Sequence, residues 1–568
     1  MARLVENNVP KPLTITNFYG LNMPKSGDTQ ISIGESGNMT NCFITKDYDV
    51  SKAYGYLQMA TSVASSNIQG MWYGDIGGTN YFLFAVNGKL YKFDQDFWLT
   101  QFDGTDVWSD VTTEIGSLTD APTQFFAFGG KVYILTGAEY KSYDGTDLID
   151  VVGYVPKLRI SCVPATGIGT DFEETNLLIG SKYQTYNADG TTTYQVAETD
   201  IDSIDSVYVD GVLQTVTTHY TVNLSLGQVE FVSAPTVGLD NVKIYWTKGS
   251  GNRDVIEKNR FAFLFGLAAD TRVFLYGNQD SQNVRVYSSL ADGVPSAEYF
   301  TEAAAEEIGS ASFPITGMAR QQNIMLLFKS NETYYSYYDS VNLDGVDVVT
   351  FPTPVINDTR GNIAMGQSRV LANDPYTIDR QFIKWYPTQE KNERNMRDMG
   401  ARIQKDLDLL DLTECLTIDF EKRSEMWIGN RKKVWIYRYD LEGANKERGV
   451  FSRLEFPDTV TCWLDVEGEL FFGTNDGKIM QIGEQHLTYN GTTIEAHWEM
   501  NMFDFGASYI KKTLRKGWIV LAAQPKVSVS IQYVTDKNAY STPFVVSYRT
   551  VLFDDVDFRD FTFYTNYN

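Results

Sequence analysis

The chain reads as an all-β protein: a β-propeller with an inserted β-sandwich domain and β-rich terminal extensions. Three observations predict this. The composition is aromatic and punctuated by glycine, two motifs recur in order at nearly one spacing, and a central stretch carries a different strand pattern.

The 568 residues include 35 Tyr, 33 Phe and 45 Gly but only 3 His. Aromatic side chains suit a pleated, half-buried surface, and glycine supplies the tight turns between strands. At roughly 150 residues per domain the length implies several packed units.

The repeat is the strongest signal. Phe84-Ala85-Val86-Asn87-Gly88-Lys89-Leu90-Tyr91 returns as Phe126-Ala127-Phe128-Gly129-Gly130-Lys131-Val132-Tyr133, an offset of 126 − 84 = 42. Phe102-Asp103-Gly104-Thr105-Asp106-Val107 returns as Tyr143-Asp144-Gly145-Thr146-Asp147-Leu148, with 144 − 103 = 41 between the aspartates. Asn-Gly and Gly-Gly are hairpin dipeptides that accept positive φ. The same strand-turn-strand grammar runs on through Arg272–Ser288, Ile324–Tyr337, Glu425–Tyr439 and Glu467–Met480. In the last of these, Asp476-Gly477 is the expected type I′ turn. About six or seven such units fit blades of four short strands, whose radial repetition leaves only short sheet edges. Unrelated hairpins in sandwiches would not explain the matched offsets.

Between residues 168 and 252 the blade signature disappears. Val207-Tyr208-Val209-Asp210-Gly211-Val212, Tyr220–Asn223, Gln228–Phe231 and Val242–Tyr245 alternate apolar and polar residues, with Gly and Pro between the runs. They predict a small antiparallel sandwich inserted at a propeller loop, where insertions are tolerated. The expected layout is an arm over 1–65, first blades over 66–167, the sandwich over 168–252, remaining blades over 253–490 and a β-rich segment over 491–568. That last segment includes Trp518–Leu521 and Val527–Ile531. Met396, Met399, Ile403 and Leu407 at helical spacing predict one helix from about Gln389 to Leu410, with a polar crossover loop as the alternative.

Charge and cysteines narrow the function. The formal charge of −24 opposes a protein that grips nucleic acid, which needs clustered Lys and Arg against phosphates. Cys42, Cys162, Cys415 and Cys462 are widely spaced, which points to free buried thiols and assembly in a reducing cytoplasm. The amino terminus lacks an apolar core of signal-peptide length, and no run approaches the roughly 20 apolar residues of a membrane span. A soluble chain not exported by the general route is the expectation.

Chemistry-bearing motifs are sparse. His219, His486 and His497 are isolated from one another and from the cysteines, without zinc-site spacing. There is no glycine-x-serine-x-glycine elbow and no phosphate loop ending in Gly-Lys-Ser/Thr. Asp103–Asp106 and Asp144–Asp147 lack the further spaced acids and closing glutamate of a calcium loop, so a hairpin turn is the better reading. Two carboxylates for a glycosidase are always available among 72 acidic residues, but the Ser-x-Asp-x-Gly-x-x-Trp repeat of sialidases is absent. No catalytic, cofactor or metal residues are assigned, and the chain is expected not to be an enzyme.

The arm Gly34–Cys42, the blade-like stretches Arg272–Ser288, Phe313–Met318 and Leu326–Lys329, and the link Asn392-Glu393-Arg394-Asn395 together resemble the tail nozzle proteins of short-tailed bacteriophages. These are also called tail tubular protein B or packaged-DNA stabilisation proteins. The inserted unit is similar to a β module of phage tail and fibre proteins. The family's Arg-rich Pro-Gly segment is replaced here by Tyr54-Gly55-Tyr56-Leu57. The resemblance implies a homohexameric ring in the virion tail, assembled in the host cytoplasm, docked on a tail adaptor protein and carrying tail fibres. DNA would pass through the lumen without specific binding, and there would be no small-molecule substrate. Six copies would carry 6 × (−24) = −144 formal charges, a wall that repels phosphates. The alternative is a receptor-binding or glycan-processing propeller of a tail fibre.

Overall fold

A computed structural model describes residues 13–23, 31–59, 65–94, 111–267, 269–343, 346–386, 395–502 and short pieces within 519–547. The chain forms two compact units, one up to Glu499 and one from Met500.

Six four-stranded antiparallel sheets, and a six-stranded sheet whose first four strands form a seventh blade, dominate the first unit. Their first strands are Ile68–Ile76, Gln124–Phe128, Phe261–Leu267, Ile315–Gln321, Arg369–Leu371, Cys415–Phe420 and Val460–Val466, which define blades 1 to 7 in chain order. First strands of neighbouring blades adjoin one another, and Val460–Val466 of blade 7 meets Ile68–Ile76 of blade 1. Blades 3 and 4 are joined through a shared core containing Phe265, Phe274, Ile315 and Met318. The ring therefore closes as a seven-bladed propeller.

The second strand of each blade explains the composition. A blade is covered on both faces by its neighbours, so this strand must be apolar on both sides rather than alternating. Phe82-Leu83-Phe84-Ala85-Val86 is buried throughout. Phe82 and Phe84 pack towards blade 7, while Leu83 and Ala85 pack towards blade 2. In blade 7, Leu470 and Phe472 face blade 6 while Phe471 faces blade 1.

Closure joins distant parts of the chain. Blade 7 takes three strands from Val460–Val466, Glu469–Thr474 and Ile479–Gly483, and its fourth from the arm, Gly55–Gln58. Tyr56 pairs with Ile482, and Gly55 with Gly483. At Gly55 a Cβ would lie 2.2 Å from the Thr488 carbonyl oxygen, so only glycine allows this approach. The arm also seals blade 6: Leu21, Met39, Cys42 and Ile44 join its core with Trp435, Val450 and Phe451. Ser36 Oγ donates to the Glu499 carbonyl (2.7 Å), tying the arm to the end of the first unit.

The inserted unit lies between blades 2 and 3. A six-stranded sheet faces a three-stranded one made of Thr193–Gln195, Gln228–Phe231 and Tyr220–Asn223. Tyr186, Tyr194, Val207, Val229, Ile244 and Trp246 fill the space between. Its first strand is Lys157–Cys162, upstream of residue 168, and it runs parallel to Ser181–Ala188 through two register shifts. This strand is half-buried along nearly its whole length, so it lacks the alternation that would reveal it in sequence. The Asp210-Gly211 turn joins Ser203–Val209 to Val212–Leu213, with φ of 48° and 78°.

Several expectations change. The offset of 42 does not mark one blade period: Asn87-Gly88 joins the second and third strands of blade 1, whereas Gly129-Gly130 joins the first and second strands of blade 2. First strands recur instead at 124 − 68 = 56 down to 460 − 415 = 45 residues where no domain intervenes. Asp476-Gly477 is not a type I′ pair. It lies in the four-residue connection Asn475–Lys478 with only Gly477 at positive φ, and the two-residue turn of that unit is Glu467-Gly468. The predicted helix is mostly absent. Residues 387–394, including Asn392, Glu393 and Arg394, lie outside the described residues, Met396–Asp398 is the fourth strand of blade 5, and only Gln404–Leu407 is helical. Asp398 accepts the Gly400 N–H at 2.8 Å and turns the chain there. Ile403 and Leu407 owe their spacing to burial between blades 5 and 6.

In the second unit, Ser528–Ile531 pairs antiparallel with Phe544–Ser547. Trp518 and Val527 lie outside the described residues, as does the Phe102–Val107 motif. No helix among the described residues is long and apolar enough to cross a membrane.

Candidate functional site

The three histidines stay apart. His219 is exposed in the sandwich and its Nδ1 accepts from the Thr215 N–H (2.9 Å). His486 lies beside Gln485, and burial lowers its pKa. His497 lies 3.6 Å from Glu499. All four cysteines are free, and desolvation holds the thiols protonated, with Cys415 pushed up to about 11 and Cys42 to about 12. Among the described residues no three His, Cys, Asp or Glu side chains gather to hold a metal.

The Asp144–Asp147 motif is a turn. Asp144 Oδ1 accepts from the Thr146 and Asp147 N–H groups, both at 2.9 Å, and these bonds lower its pKa. Other buried charges fasten the scaffold. Arg285 donates to Glu306 (2.6 Å) and to the Phe351 carbonyl (2.6 Å), and Lys329 donates to the carbonyls of Ile308 (2.7 Å) and Ser310 (2.6 Å). On the first strands of blades 6 and 7, desolvation raises the pKa of Asp419 and of Asp465.

Exposed apolar side chains single out the inserted sandwich. The chain enters and leaves the six-stranded sheet at one end, where Ser181 pairs with Thr247. At the far end, where Ala188 pairs with Gly238 and Val209 with Val242, Val212 is 63% exposed, Val237 70% and Leu239 84%. Single exposed apolar residues are ordinary, and here three stand at the end of the sandwich opposite the chain's entry and exit. The strands and loops from 157 to 247 carry four Lys or Arg and eleven Asp or Glu, a net 4 − 11 = −7. Like charge makes a second copy of this tip a poor partner, whereas a basic, apolar surface complements it. Alternation in the sequence pointed to the sandwich, but nothing local showed which of its valines and leucines stay outside.

The fold is an all-β propeller bearing an inserted acidic sandwich with an apolar tip. No protein-family model and no curated protein matches the chain. Among solved structures it is similar to the computationally designed Ika8 protein, at 9% identity and a TM-score of 0.32 over 75% of this chain and 99% of that one. It is also similar to BamB from Moraxella catarrhalis, at 10% identity and a TM-score of 0.31 over 79% of this chain and 98% of that one.

Proposed function

We propose that the chain is a structural ring subunit of a phage tail, which docks a tail adaptor and fibres and lets DNA pass. The observation that carries this reading is the tip of the sandwich, where Val212, Val237 and Leu239 stand exposed on an acidic domain and offer a surface for docking. The charge of −24 supports passage of DNA without capture. The resemblance of the arm, central blades and inserted unit to tail nozzle proteins supplies the particular ring, six-fold and in the virion.

Native mass measurement of the purified chain, alone and mixed with a tail adaptor, tests the reading. A species near 6 × 64.1 = 384.6 kDa, alone or on adding the adaptor, supports it. A monomer or trimer that ignores the adaptor and binds glycans supports the receptor-binding propeller instead.

A further inference from the structure

Blades 5 and 6 leave a cleft between them that the ring reading does not use. The third and fourth strands of blade 6, Lys433–Glu442 and Arg448–Glu455, form a long hairpin. This hairpin and blade 5 enclose about 200 Å³, lined by Tyr376, Tyr386, Tyr437 and Tyr439 together with cationic side chains. That volume lies below the roughly 300–1,000 Å³ of sites for drug-sized molecules, so it admits a single ring.

The charge of the lining is opposite to that of the protein. Lys384, Arg397, Lys446 and Arg448 outnumber Asp374 and Glu447, a net 4 − 2 = +2 within a chain of −24. Asp374 holds Lys384, and Glu447 lies 3.5 Å from Arg397. Lys446 and Arg448 are exposed and face no carboxylate at ion-pair distance among the described residues. Two cations thus remain for an outside anion.

The cleft is also braced from behind. Arg402 donates to the Gly449 carbonyl of the hairpin (3.2 Å) and lies 3.2 Å from Glu35 of the arm. Tyr48 Oη accepts the Glu442 N–H at 3.0 Å. A site fixed before binding loses less entropy on taking its ligand.

We propose that this cleft binds an acidic pyranose, a single sugar ring carrying a carboxylate, as in a hexuronic acid. Arg448 and Lys446 would take the carboxylate through charge-assisted hydrogen bonds. Tyr386, 37% exposed, offers a ring face to the C–H side of the sugar and its phenol to a hydroxyl, while the buried Tyr376 and Tyr437 form the wall behind it. A bare phosphate would use the cations and leave the exposed Tyr386 ring without a role.

Saturation-transfer NMR and calorimetry on the full chain, with D-glucuronate, D-galacturonate, D-glucose and inorganic phosphate, test this. At least one uronate is expected to bind with Kd of about 1 mM, and glucose about ten-fold more weakly, the loss of a charge-assisted contact. K446A/R448A is expected to weaken the uronate about ten-fold at an unchanged melting temperature, since both residues are exposed. Y386A abolishes the ring's NMR signal and Y386F keeps it. The proposal is overturned if neither uronate binds, if glucose binds as well, if phosphate displaces the uronate at equal concentration, or if K446A/R448A binds like the parent.

Discussion

Tyr56→Ala tests how the propeller is held shut. Tyr56 is fully buried on the arm strand that completes blade 7. Its ring stacks on Tyr489 (4.9 Å between centroids) and meets Phe456 and Phe472 edge-on at 5.1 and 5.0 Å. Its hydroxyl donates to Asp458 at 2.7 Å. Truncating a buried aromatic ring costs about 3–5 kcal/mol, because the packed wall behind it cannot fully collapse. Tyr56→Phe keeps the ring and loses only the bond to a carboxylate, about 1.5–3 kcal/mol. Urea unfolding followed by tryptophan fluorescence should give these costs in that order. Hydrogen exchange should show lost protection in both Val460–Gly483 and the blade 6 strands Glu425–Glu455, because the Tyr56 ring fills the core those blades share, while the sandwich with its separate core is unchanged. A cost for Tyr56→Ala below about 1.5 kcal/mol, the range of an ordinary substitution, would refute closure by this strand as a main support of the ring.

Other outcomes are expected. Glu35→Gln should free the arm: Glu35 is buried, accepts from Asn22 (2.7 Å) and Ser32 (2.8 Å), and neutralises Arg402, so losing its charge should cost about 3 kcal/mol and hasten proteolysis within residues 13–52. Asp419 and Asp465 have folded pKa values raised above their unfolded ones, so the native state binds the extra proton and stability falls as pH rises from the unfolded value near about 4 through the folded one. Asn at either position should therefore raise the melting temperature at pH 7, with a gap to the parent that shrinks as pH falls towards 4. Val237→Asp/Leu239→Asp should change stability by no more than about 0.5 kcal/mol, since both side chains are exposed, and should abolish adaptor binding in a pull-down.

Local chemistry was legible wherever neighbouring residues decide the backbone. Asn87-Gly88, Gly129-Gly130 and Asp210-Gly211 are two-residue turns because both positions take positive φ, a property of the residues themselves. Alternation likewise revealed the sandwich strands, whereas the two-sided cover of Phe82–Val86 emerged only with the neighbouring blades in place. The candidate cleft was not legible, because Tyr386, Arg397 and Arg448 converge only when one blade's hairpin lies beside its neighbour.

What only the tertiary structure decided is which pieces meet. Every hairpin speaks the same local grammar, so a match at 42 residues could align the second turn of one blade with the first turn of the next. Blade register, the count of seven and the pairing of Gly55–Gln58 with Ile479–Gly483 depend on partners hundreds of residues apart. Their selection rests on packing across blade faces and on the single gap left for a fourth strand. The sequence alone determined two-residue turns such as Asn87-Gly88 and the alternating strands of the sandwich, and burial between neighbouring blades determined the ring.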